Sequence, residues 1–175
     1  MLTLWDLLPT KWKRRPVEAA SPRRAVPTAR PTKADLYAAL TRDLLEEHGI
    51  KVRRWRTSMS GIAWEVRFRD GSIRRMIEAP KPKGPMSAAV FLHEVGHHAI
   101  GFNVYRPRCL EEYHAWAWAV REMESRGVEV TEAVRYRMHQ SLAYAVGKAR
   151  RRGLRVLPEE LVPFAEPLPW RRRRK

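Results

Sequence analysis

The chain has 175 residues, 44% of them hydrophobic, enough for one domain with a core and too few for two ordinary ones. Its 35 Lys and Arg against 19 Asp and Glu leave a formal charge of +16, a surface that attracts polyanions and says nothing of fold. One cysteine, Cys109, excludes an internal disulfide and a Cys-x-x-Cys metal site, and no run reaches the roughly 18 apolar residues of a membrane span, so a cytoplasmic location is the expectation.

The opening stretch MLTLWDLLPTKWKRR has a short apolar run that Asp6 breaks and basic residues follow, the reverse of a secretory signal. Residues 13–31 are rich in Pro, Ala and Arg without apolar periodicity and read as an extended linker, making 1–31 a basic tail. Thr32 with Asp35 is a capping box, and Leu36, Leu40, Leu44 and Leu45 predict a first helix ending near Gly49. From Lys51 the period changes to two through KVRRWR, IAWEVRFRDG and SIRRMIEA, with turns at Ser60-Gly61 and Asp70-Gly71. The expectation is a small antiparallel meander with one packed face and one strongly basic face. Ser87 is placed to cap a second helix running to Gly101, a third spans about Leu110 to Ser125, and Thr131 caps a fourth carrying Val134, Met138, Leu142 and Val146. The folded domain is thus expected over 32–157. Residues 158–175, Pro-interrupted and ending in RRRRK, read as a second basic tail.

The chemistry is concentrated in HEVGH, which fits His-Glu-x-x-His inside a segment that already reads as helix. Residues four apart share a helix face, so His93 and His97 can both turn an imidazole nitrogen to one ion. Glu94 projects beside them, where it can take a proton from a water activated by that ion and pass it to a leaving amine. His98, one position on, points about 100° away and is expected in the core or behind the ligands. A catalytic zinc keeps three protein ligands and one open position. The third helix opens LEEYHAWAWA, offering Glu112, fifteen residues after His97, with Glu111 and His114 as alternatives.

Here the sequence resembles the gluzincin metallopeptidases, among which the ImmA/IrrE-type and HtpX-like catalytic domains both carry the ligand glutamate on the helix after HExxH. EYHAWAWA matches their Glu-x-x-Ala pattern at Glu112 and Ala115, and departs from it at Trp116, where the pattern has Asp or Asn. The resemblance implies an α+β minimal zincin fold: an N-terminal helix, the meander, the HExxH helix, the ligand helix and a further helix. It implies His93, His97 and Glu112 as zinc ligands and Glu94 as the catalytic carboxylate. It also suggests His139 or Tyr136 on the fourth helix as a group stabilising the tetrahedral oxyanion. The expected activity is zinc-dependent hydrolysis of peptide bonds, with a narrow regulatory protein substrate by analogy alone.

The competing expectation is a nucleic-acid-associated protein of the same fold that works by binding. Its footprint would be the basic sheet face and the tails, with Arg14, Arg15, Arg23, Arg24 and Arg171, Arg172, Arg173, Arg174 contacting nucleic acid or an acidic partner. Metal would then be structural, or activity lost.

Overall fold

A computed structural model describes residues 32–169. The architecture is α+β: helix α1 (Lys33–Glu47), strands β1 (Ile50–Arg56), β2 (Ile62–Arg67) and β3 (Ile73–Pro80), helices α2 (Pro85–Ile100), α3 (Arg108–Ser125) and α4 (Glu132–Arg151), and a 3-10 helix, Glu159–Phe164. Local chemistry sets the boundaries. The Thr32 hydroxyl accepts from the Asp35 amide while the Asp35 carboxylate accepts from the Thr32 amide at 2.8 Å, the reciprocal cap that starts α1. Thr131 likewise caps α4 by accepting from the Val134 amide. Ser87 does not stand at the cap of α2, as expected, but one turn in; its hydroxyl reaches back to accept from the amides of Lys83 and Gly84, and Gly84 is the cap residue.

The sheet is not an antiparallel meander. Its order is β1-β3-β2, with β1 parallel and β2 antiparallel to β3. The most buried strand takes the centre: Ile77, Ala79 and Pro80 of β3 are buried, whereas Ile50 alone is buried in β1 and no residue is in β2. Asp70-Gly71 does form the β2–β3 hairpin, with Gly71 at φ +82° and the Ser72 amide donating to the Asp70 carboxylate. Ser60-Gly61 lies in the crossing from β1 to β2 instead of in a hairpin.

Helix α2 packs on β2 and β3 and helix α1 on β1, with Ile77 and Ala79, which share a face of β3, in the core. The register puts Ile62, Trp64 and Val66 on the other face beside Lys51, Arg54, Arg74, Met76 and Glu78. That face is therefore mixed, not purely basic, because β2 turns its apolar residues outward and Ile62 and Val66 are exposed.

Helix α2 runs through the middle, buried from Ser87 to His98, with β3 on one side and α3 on the other. Phe91, Leu92, Val95, Met123, Leu142 and Ile77 form the core around it. Gly96, inside HEVGH, is where α3 comes closest: a Cβ there would lie 2.8 Å from the Ala115 carbonyl oxygen. The missing side chain lets the two helices approach and brings the start of α3 level with His93 and His97.

The domain does not stop at residue 157. The 3-10 helix packs on α3 and α4, Leu161 is fully buried, and Phe164 lies against Tyr113 and His139. Two apolar residues in a Pro-bounded segment were enough to pull it onto the core, so 158–169 is part of the fold and not a tail. Leu161→Ala is expected to cost about 2–5 kcal/mol in chemical denaturation, where a tail residue would leave the midpoint unchanged.

Candidate metal centre

His93 and His97 lie one turn apart on α2 with their rings edge to face, centroids 4.8 Å apart. Glu112 enters from the first turns of α3, its Oε2 3.3 Å from His93 Nε2 and 3.5 Å from His97 Nε2. The three ligand atoms all fall within 4.8 Å of one another, a group able to hold a metal ion. Two donors on a tetrahedral ion at about 2.0–2.1 Å sit roughly 3.3 Å apart, so the carboxylate stands at bonding separation from both imidazoles. Both histidines are buried and Glu112 half-buried. Burial alone would raise the Glu112 carboxyl, but the histidines facing it hold it well below the usual carboxylate range. Burial also lowers His93 against the pull of Glu112, favouring the neutral imidazole that a metal requires.

The surroundings fix each of these side chains differently. Arg108, one turn before Glu112, donates from Nε to Glu112 Oε1 at 3.1 Å, leaving Oε2 directed at the histidines. Trp116, one turn after, stacks on His93 with centroids 4.5 Å apart and planes 23° from parallel. His93 Nδ1 is buried without a hydrogen-bond partner, so the indole holds the ring by contact and not by a hydrogen bond. Glu111 is not a ligand. It is 1% exposed, accepts from the Asn103 amide at 2.7 Å through Oε2, and turns Oε1 to His97 Nδ1 at 3.6 Å. That oxygen also lies 3.3 Å from Arg108 Nη1 as an ion pair, but neither it nor His97 Nδ1 has a hydrogen-bond partner, and one short hydrogen bond between them would satisfy both once Nε2 is engaged. Accordingly Glu111→Ala is expected to weaken metal affinity about 10–100-fold in chelator competition, while Glu111→Gln, which keeps an acceptor, recovers most of it.

Glu94 is 6% exposed and its carboxyl is pushed up to about 7, by burial first, against the opposing charge of His97. Gly61 is what gives it room. A Cβ on residue 61 would lie 2.7 Å from the Glu94 carboxyl carbon, so the step first read as a turn is the wall of the carboxylate's niche. His93, Glu94 and Glu112 open on a cleft of about 1040 Å3 bordered by Ser60 and Gly61 on one side and by α4 on the other.

Other expectations fall away from this centre. Tyr136 and His139 do not reach the cleft. They line a separate, largely apolar hollow with Met86 and Phe164, where His139 Nε2 hydrogen-bonds the Glu166 carbonyl at 2.8 Å and the Tyr136 hydroxyl accepts from Gln140. The neighbours one step round α4, Arg137 and Ser141, face the cleft instead. His114 stacks on Tyr105 at 3.8 Å, away from the ion group, and His98 pairs through Nε2 with the Met76 carbonyl of β3. Cys109 is buried at the cleft wall, its thiol pushed up by burial, and is no member of the metal group. Arg14, Arg15, Arg23, Arg24 and Arg171, Arg172, Arg173, Arg174 lie outside the described residues. Among the described residues no helix is long and apolar enough to cross a membrane. No protein-family model matches the chain, and comparison with the curated proteins and with the solved structures found no match either.

Proposed function

We propose that this chain is a zinc-dependent peptidase in which His93, His97 and Glu112 hold the metal and Glu94 moves the proton. The observation that carries the reading is the meeting of two imidazole nitrogens and one carboxylate oxygen beside a second, unpaired carboxylate, all at the wall of a solvent-open cleft. Two histidines and one carboxylate are a donor set that suits zinc and leaves a position open. When bound, such an ion polarises a carbonyl oxygen and lowers the pKa of water toward neutrality.

The remaining work falls to the chain. Arg108 and Trp116 hold Glu112 and His93 in place, so little reorganisation is needed when a ligand arrives. Glu94, near 7 without a cation and lower beside one, is suited to accept a proton from the attacking water. The same oxygen can then deliver that proton to the departing amine. A peptide lying in the cleft passes between Gly61 and α4, and a narrow protein substrate is in keeping with a domain this small.

The test is direct. Zinc-loaded protein is incubated with a complex mixture of unfolded proteins, and newly formed termini are identified by mass spectrometry. New termini that vanish with chelator and return with zinc are expected. Their absence at every zinc concentration would remove the peptidase reading and leave a metal-stapled fold.

A further inference from the structure

The cleft extends from the metal group along one face of α4. Arg137, Ser141, Tyr144 and Lys148 of that helix and Arg152, the residue that caps its C-terminus, recur at spacings of three or four and so share a side. Arg137 marks the end near the centre, where its guanidinium donates to the Met59 carbonyl at 3.0 Å, just before the Ser60-Gly61 wall. Lys148 and Arg152 mark the far end, roughly 16 and 22 Å along the axis at 1.5 Å per residue. Both are exposed, and neither has an acidic partner among the described residues. The carboxylates that line the cleft are Glu112 of the metal group and Glu94 beside it, so among the described residues that line the cleft none balances the positive charge at the far end.

We propose that this row selects acidic peptides: Lys148 and Arg152 pair with Asp or Glu side chains about five to seven residues from the bond that lies at the metal group. The spacing follows from about 3.3 Å per residue of extended chain, and the proposal rests on the peptidase reading for what happens at the near end. A single-stranded nucleic acid offers the same charge, but it gains much of its affinity by stacking bases on aromatic rings. The row carries one ring, Tyr144. Side-chain carboxylates, which need only point charges, are the better fit.

The experiment uses full-length, zinc-loaded Glu94→Gln protein, which leaves peptides uncut, and fluorescence anisotropy with two labelled 16-residue peptides. They share an apolar centre and differ only in carrying Glu or Gln at the distal positions. Two exposed ion pairs amount to about tenfold in affinity, so the Glu peptide is expected to bind about tenfold tighter at low salt. Adding Lys148→Glu and Arg152→Glu should erase that preference. Adding Arg135→Glu and Arg151→Glu, an equal charge change elsewhere on α4, should preserve it.

Zinc content is measured in every sample, so that a failure of the metal reading shows as missing zinc and is separate from the peptide comparison. Equal binding of the two peptides, no binding of either, or loss of the preference in the Arg135/Arg151 control as well would overturn the proposal. So would an oligothymidylate that displaces the Glu peptide at lower concentration through Lys148 and Arg152, an outcome that assigns the row to nucleic acid.

Discussion

His97→Ala and Glu112→Gln are each expected to weaken zinc binding by more than the roughly 10–100-fold typical of losing a group that only supports a ligand. Glu112 Oε2 is 3.3 and 3.5 Å from the two Nε2 atoms, so it closes a three-donor face that no other carboxylate among the described residues joins. Glu111, next in sequence, is already committed to the Asn103 amide and to the opposite nitrogen of His97. Glu112→Gln keeps the volume and the Arg108 side of the site nearly intact, which separates loss of a ligand from loss of the fold. His114→Ala is the matched control: it sits two positions along α3, stacked on Tyr105, and should retain wild-type zinc. Zinc per chain after dialysis against a moderate chelator reads all three. Stoichiometric zinc in both His97→Ala and Glu112→Gln would mean that the ion, if one binds, binds elsewhere.

Most of the centre was legible because its parts are local. HEVGH states a helix face in five residues, and the Glu-x-x-Ala pattern chose Glu112 over Glu111 without knowledge of the loop between. What makes that choice physically necessary, the engagement of Glu111 behind His97, is a contact between elements and left no pattern to read. The role of Gly61 was hidden for the same reason, since a glycine after serine reads as a turn whether or not a carboxylate lies beside it.

The fourth helix shows where such reading stops. Of the apolar stripe Val134, Met138, Leu142 and Val146, three residues are fully buried and Met138 is partly buried. That stripe leaves two flanks, one carrying Tyr136 and His139 and the other Arg137, Ser141 and Lys148. Adjacent residues are about 100° apart around the axis, so which flank meets the α2 histidines depends on the sense in which α4 packs. Tyrosine and histidine looked like chemistry, and the flank that faces the cleft is the cationic one. The strand order eluded pattern for a related reason: alternation gives each strand its faces but not its neighbours, and β3, with Arg74, Arg75 and Glu78, is no less charged than β2, so only its burial marks it as central.

Glu94→Gln is expected to keep the metal and lose the chemistry, with hydrolysis of any identified substrate falling by about 10²–10⁴-fold, the usual range for a lost general acid-base. Glutamine fills the same niche against Gly61, so packing is no explanation for the loss. Stability gives an independent reading in the metal-free protein. Burial raises the folded carboxyl from 4.5 to about 7, so between those values the folded state holds a proton that the unfolded state has released. Its contribution is therefore greatest below the unfolded value and fades as pH climbs through 7, by on the order of 3 kcal/mol. His93 and His98, whose values burial lowers, act in the opposite direction, so the wild-type curve alone is a sum of the two. The difference between wild type and Glu94→Gln isolates the carboxylate: the variant should gain on the wild type as pH rises from about 5 to 8, measured by urea denaturation in excess chelator. A difference that stays flat over that range would place Glu94 in contact with water rather than in its niche, and an enzyme that still cuts with glutamine there would have its proton carrier somewhere else.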